Sequence, residues 1–233
     1  MSQVESSSKL DLERIVFIGR TFEEYMAMFS LPEDELKSKT ILDCPAGACS
    51  FSAVGNRKGF DITACDIAYY HDISDLKSKG LLDIEHAMGK MRFSQKNYRW
   101  NYFRDIEGLR KHRLSALHNC VDDMMNRCER YIPVILPSLP FDDDQFDVVL
   151  SAHFLFMYGD RLDYQFHQDT LNELLRVAKE EVRIFPLVDL SGQRYADLDK
   201  LIHDLSKSGY TCEEETVRYE FQLNANSMLK ISK

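Results

Sequence analysis

Apolar positions along the chain switch repeatedly between two spacings. Short runs rich in β-branched residues and bounded by turn residues read as strands: "ILD" ending at Asp43, "FDITACD" ending at Asp66, "IPVIL", "FDVVLSA", "EVRIFPLV", and finally "EETVRYEF" and "SMLKIS". "FDVVLSA" is almost continuously apolar, as a parallel strand buried on both faces is. Between these runs the spacing becomes helical. Thr21 with Glu24 three residues on predicts a capping box opening a helix with Phe22, Tyr25, Met26 and Phe29 on it, and Leu31-Pro32 closes it. "SFSAVGNRKG" predicts a short helix ending at Gly59. Leu171, Leu174, Leu175 and Ala178 mark one further helix face, and Leu198, Leu201, Ile202 and Leu205 another that stops at Gly209. Alternating strand and helix predict an α/β sandwich of three layers around a mostly parallel sheet. The last two strands, with no helix between them, predict a C-terminal antiparallel hairpin at the sheet edge.

Residues 71–131 break this alternation, with helical spacing and no strand signal. Leu114, Leu117, Val121, Met124, Cys128 and Tyr131 recur every three or four residues, as one stripe on a helix. Between Asp66 and Leu139 lie 72 residues where one helix and one strand would suffice. The excess is expected to be a helical cap inserted between the second and third strands of one domain spanning residues 1–233.

The 233 residues suit one large domain or a domain with an insertion. No apolar run approaches membrane-span length, and the opening "MSQVESSSKLDLER" reads as a frayed polar tail with no signal peptide. Six scattered cysteines with no C-x-x-C pair argue against zinc, and point to reduced thiols in the cytoplasm. The net charge of −9 argues against a general affinity for nucleic acid. Residues 90–113 depart from this balance with eight Lys and Arg against two acids, interleaved with Phe93, Tyr98, Trp100, Tyr102 and Phe103. Such a stretch can bind phosphates and stacked bases, can suit an anionic small molecule, or can be a solvated basic face over packed aromatics.

Chemistry concentrates at strand ends. "ILDCPAGACS" places a small-residue turn after the first strand, and Asp66 follows Asp43 by 23 residues, a spacing suited to a carboxylate that binds ribose hydroxyls. Pro45, Gly47 and Cys49 occupy the three places a dinucleotide loop gives to glycine, which makes a poor pyrophosphate cradle and argues against NAD. Either acid read alone is better taken as a solvated strand end or cap; the pair in register with "LPF" and "FDVVLSAH" favours a cofactor site.

"ILDCPAGACSF", "ACDIA", "LPFDDDQFDVVLSAHFLFMY" and "LNELLRVAKEEVRIF" together resemble, in order and spacing, the motifs of class I S-adenosylmethionine-dependent methyltransferases. The likeness covers residues 40–68 and 134–233. It implies a Rossmann-like sheet, S-adenosyl-L-methionine as cofactor, and a cofactor site of Asp43, Ala46, Gly47, Asp66, Ile67, Leu139, Ser151 and Ala152. The chain departs from the pattern in the two absent glycines, in "KEE" where a glycine turn usually follows the late helix, and in the missing acid before Leu139. His153, directly after the fourth strand, is the base candidate by position, with Tyr158 beside it; a structural histidine is the even alternative. Asp160 and Arg161 are expected to pair or cap the next helix, and Asp142, Asp143 and Asp144 to diverge on a solvated turn, so no metal site is expected. Arg20 and Tyr25 are candidates for a lid over the cofactor, beside a plain packing role. The resulting expectation is a methyltransferase acting on a small-molecule acceptor, with an anionic one suiting the basic stretch. A non-catalytic binding module on the same fold and an RNA methyltransferase stand as alternatives, the latter without the asparagine-proline-proline-aromatic signature, since "SAHF" follows the fourth strand.

Overall fold

The computed structural model describes residues 16–233, so the N-terminal tail expected to fray lies outside the described residues. Seven strands form one sheet in the order β3-β2-β1-β4-β5-β7-β6. The strands β1 (Thr40–Asp43), β2 (Asp61–Asp66), β3 (Tyr131–Pro133), β4 (Phe146–Ala152) and β5 (Ala178–Phe185) are parallel. β7 (Ser227–Ser232) enters antiparallel between β5 and β6 (Thr211–Thr216). This is the Rossmann-like α/β architecture expected from the alternation of strands and helices.

The C-terminal hairpin is present, with its second strand inside. Met228, Leu229 and Ile231 of β7 are buried. β6 lies at the edge and carries Glu213, Glu214 and Glu215, charges that discourage pairing with another chain. β6 also begins and ends earlier than "EETVRYEF" predicts. The alternation of Val217, Tyr219 and Phe221 is real and all three are buried, but they lie beyond the end of β6: Tyr219 meets Phe185 edge-on at 5.9 Å, and Phe221 stacks with Tyr98 at 4.8 Å.

One face of the sheet is covered by α1 (Phe22–Met28), α3 (Phe51–Arg57) and α5 (Ile106–Asn126), through a core that includes Tyr25, Phe51, Ile62, Leu117 and Leu150. The other is covered by α6 (Tyr164–Val177) and α7 (Leu198–Lys207), through Leu42, Val149, Leu171, Leu174 and Leu201. Two further helices, α2 (Glu33–Leu36) and α4 (Ile73–Met91), complete the set. The capping box at α1 forms: Thr21 N–H donates to Glu24 Oε2 at 2.9 Å, and Glu24 N–H to Thr21 Oγ1 at 3.3 Å.

Residues 71–131 contain α4 and α5, which pack on each other. A side chain on Gly80 of α4 would meet Leu117 Cδ1 at 2.6 Å, so glycine lets the two helices approach. Leu117, Val121 and Met124 of α5 are buried, as their spacing predicts. The stripe does not continue. α5 ends at Asn126, Cys128 is exposed on a 3-10 turn, and Tyr131 opens β3, because the chain must turn here to enter the sheet.

Candidate functional site

β1 has β2 on one side and β4 on the other, so the strand order reverses at their carboxyl ends, where open α/β sheets bind ligands. A cavity of about 280 Å³ lies there. The turn from Pro45 to Gly47 with Cys49, Asp66 at the end of β2, and Ala152 and His153 at the end of β4 form its base. Val16, Ile18 and Arg20 make one wall, Met88 and Met91 of α4 with Leu109 and Arg113 of α5 a second, and Tyr219, Phe221 and Gln222 a third.

The turn after β1 is held from both sides. Gly47 has φ +54°, a conformation glycine adopts without strain. Its N–H donates to Asp66 Oδ2 at 2.8 Å, and its carbonyl accepts from the Tyr69 hydroxyl at 2.8 Å. Asp66 Oδ1 accepts from Ala68 N–H at 2.8 Å. The Gly47 N–H is thus turned onto a carboxylate and not offered to a phosphate, which agrees with the case against NAD. Burial raises the pKa of Asp66, while these two N–H bonds oppose the rise. Each of its oxygens keeps a further acceptor lone pair, and the residue lines the cavity.

Of the residues singled out from sequence, Ala46, Gly47, Asp66, Ala152, His153 and Tyr158 line this cavity. Asp43, Ile67, Leu139 and Ser151 do not. Asp43 is fully buried beneath the turn; Tyr25 Oη–H donates to its Oδ1 at 3.0 Å, and Oδ2 has no partner. Burial pushes the Asp43 carboxyl up to about 8, so it is largely protonated at neutral pH. Leu139 sits in the core on the α6 side, its N–H donating to Glu173 Oε1 at 2.8 Å. Ser151 is buried within β4, and Ile67 packs partly buried against the core. A strand's side chains alternate between faces, so proximity in sequence to the carboxyl end does not bring every residue to the crevice.

His153 turns out of β4 at φ +54°, a region in which histidine is enriched among non-glycine residues. Its N–H donates to Phe185 O at 2.6 Å, and its Nδ1 is buried without a partner. Burial and then the charges of Arg20 and Arg113 hold its pKa well below the usual 6.5, so the ring is neutral. The Arg161 guanidinium lies over the Tyr158 ring and also pairs with Asp160 at 3.4 Å; Asp163 is the residue that caps α6, accepting from Phe166 N–H. Asp143 and Asp144 diverge to Arg176 and Lys233 respectively.

The segment before α1 lies flat on the turn. A side chain on Gly19 would sit 1.8 Å from Ala48 O. Arg20 N–H donates to Cys49 Sγ at 3.2 Å, and Ser50 N–H to Arg20 O at 2.9 Å. Burial pushes the Cys49 thiol up to about 12, so it is a neutral wall group.

A buried ionic knot joins the three walls. Glu24 of α1 accepts from Arg113 Nη1 of α5 at 2.7 and 2.9 Å, from the Tyr219 hydroxyl at 2.7 Å, and from Thr21 N–H. Burial alone would raise the Glu24 pKa, but the Arg113 charge and these donors hold it below the usual value. The basic stretch is therefore divided. Arg113 turns inward to Glu24, Arg110 pairs with Glu85 and Arg99 with Glu220, while Phe93 is 91% exposed. Sequence reasoning did not single out Gly19, nor Glu24 and Tyr219 as partners of Arg113.

The chain is 37% identical over 223 residues to uncharacterized protein MJ0045 of Methanocaldococcus jannaschii, spanning 95% of this chain and 98% of that one. It belongs to the same family. No family model matches the chain. Among solved structures, magnesium protoporphyrin IX methyltransferase (ChlM) from Synechocystis PCC 6803 with bound SAM is similar over 91% of this chain and 77% of that chain, at 10% identity and a TM-score of 0.50. Its structure with bound SAH matches over 90% and 80%, again at 10% identity and 0.50. At that identity the likeness is one of fold.

Proposed function

We propose that this member of the MJ0045 family is an S-adenosylmethionine-dependent methyltransferase acting on a small-molecule acceptor. The observation that carries the reading is Asp66: a buried carboxylate that braces the Gly47 turn with one lone pair of each oxygen and faces a cavity at the switch point of the sheet. The fit to the cofactor is chemical. A carboxylate suits a ribose cis-diol, Ala46, Ala152, Met88 and Met91 offer apolar surface, and no phosphate needs to be cradled. ChlM, with which the fold is shared, has been solved with SAM and SAH bound.

S-adenosylmethionine supplies an electrophilic methyl group on a sulfonium. The chain's own residues hold the acceptor in line with it and exclude water. When bound, that methyl group would be open to displacement by an acceptor held opposite the carbon–sulfur bond, whose electron pair would leave with sulfur. His153, held neutral, has an Nδ1 free to take the acceptor's proton, and Tyr158 stands beside it to orient the acceptor. α4, α5 and the chain after β6 act as the cover over both ligands. Six unpaired cysteines support a cytoplasmic setting. Internal pairing of Arg99, Arg110 and Arg113 reduces what the basic stretch can offer an RNA backbone, so a small acceptor is favoured.

Calorimetric titration with S-adenosylhomocysteine tests the reading. Binding that strengthens hydrogen-exchange protection at residues 43–50 and across α4 is expected. No heat at millimolar ligand would leave the non-catalytic module as the better account.

A further inference from the structure

Two residues that line the cavity each hold a buried nitrogen without a hydrogen-bond partner: Arg20 Nε and His153 Nδ1. The Arg20 guanidinium makes one bond, from Nη1 to Ile18 O at 3.2 Å. Among the described residues no carboxylate lies within ion-pair distance of it, whereas Arg113, the other arginine on the lining, is paired with Glu24. A cation held in a concave, partly dry site without a counter-charge is a binding site for an anion.

Arg20 cannot easily move to find a partner elsewhere. Its backbone is fastened to the turn on both sides, by its N–H to Cys49 Sγ and its carbonyl to Ser50 N–H. Arg20 lines the same cavity as His153 and Tyr158. The surfaces around it are aromatic: Tyr98, Phe154, Tyr158, Tyr219 and Phe221 all line the cavity.

We propose that Arg20 is the acidic-group subsite for the methyl acceptor, and that the acceptor is a small planar carboxylate whose ring lies among these aromatic side chains while its reacting atom faces His153. This rests on the methyltransferase reading above. A guanidinium suits the task because its planar fork meets a carboxylate with two parallel bonds.

Benzoate and benzamide are the probes, being alike in shape and different in charge. Each is titrated into wild-type, Arg20→Gln and Arg20→Lys protein, with and without saturating S-adenosylhomocysteine. Wild-type protein should bind benzoate at least tenfold more tightly than benzamide. Arg20→Gln should abolish that preference, Arg20→Lys should restore part of it, and S-adenosylhomocysteine affinity should stay within threefold in both. Equal heats, or no heat from either probe at high millimolar concentration, would overturn the proposal. So would a tenfold loss of S-adenosylhomocysteine affinity in Arg20→Gln with 5′-methylthioadenosine binding unchanged, because Arg20 would then hold the cofactor's own carboxylate. The cofactor reading fails separately, if wild-type protein binds neither adenosyl ligand; the probe titrations without cofactor still report on Arg20.

Discussion

Replacing Glu24 with Gln keeps the volume of the side chain and removes its charge. In the native protein Glu24 is 0% exposed and Arg113 4%, so solvent screens neither, and the surface-pair discount does not apply. Glu24 accepts two contacts from Arg113, one from Tyr219 and one from Thr21. An amide can accept at one end only, and its NH2 must face a donor at the other. The variant therefore leaves a buried guanidinium without a counter-charge, and breaking a buried pair in this way costs about 3–5 kcal/mol. For a chain of this size that is a fall in Tm of roughly 6–20 °C. The assay is urea denaturation of Glu24→Gln, Arg113→Met and the double variant. The double variant should be more stable than the Glu24→Gln single, because it removes the orphaned charge along with its partner. The pH dependence has a definite sign. A carboxylate held below its usual 4.5 stabilises fully above that value, and the contribution is lost as pH falls through the lowered native pKa. Wild-type protein should lose stability along that acid limb, and Glu24→Gln should not. A cost below about 1 kcal/mol, or a double variant no better than the single, would refute the idea that this knot is a dry charge pair tying α1, α5 and the chain after β6 together.

Other positions give sharper readings of the site. Asp66→Ala should weaken S-adenosylhomocysteine binding by about 2–3 kcal/mol in calorimetry, and should also lower Tm, since the Gly47 and Ala68 N–H groups lose their acceptor. Gly19→Ala should displace the segment before α1 from the turn, because its Cβ would lie 1.8 Å from Ala48 O, and the same titration should show at least a tenfold loss; unchanged affinity would mean this wall does not meet the ligand. Cys49→Gly restores backbone freedom at the turn yet removes the acceptor of Arg20 N–H, so stability should fall by about 1 kcal/mol in urea. Asp43 carries its proton up to about pH 8 in the native protein, against 3.8 for a free carboxyl; folding therefore takes up a proton in this window, and stability should decline as pH rises from about 4 to 8. Asp43→Asn should flatten that decline in denaturation curves measured across the range.

The sequence by itself determined the order of elements. Period-two and period-3.6 apolar spacing are properties of local backbone geometry, so β1, β2, β4, β5, α1, α6 and α7 were legible without tertiary context. The Thr21 capping box is equally local, and so is the turn whose Gly47 sits at positive φ. Boundaries failed where local pattern and tertiary packing part company. Val217, Tyr219 and Phe221 alternate like a strand, but Phe221 meets Tyr98, Trp100 and Phe103 while Tyr219 meets Tyr102 and Phe185, and only the packing decides which apolar surface a strand-like run covers. The stripe on α5 ran on in sequence to Tyr131 although the helix stops at Asn126, because a period of three to four persists across a turn by coincidence. The site divided in the same way. Asp66 was readable from its spacing to the turn, but its bond to the Gly47 N–H joins two strands' ends and exists only when β1 and β2 pair in register. Asp43 looked equivalent in sequence and proved to be buried behind the turn, since which face of a short strand meets the crevice is fixed by the sheet around it. Glu24, Arg113 and Tyr219 lie 89 and 106 residues apart along the chain. Nothing in local spacing could pair them; a charge finds its partner through burial, and burial is decided by the whole fold.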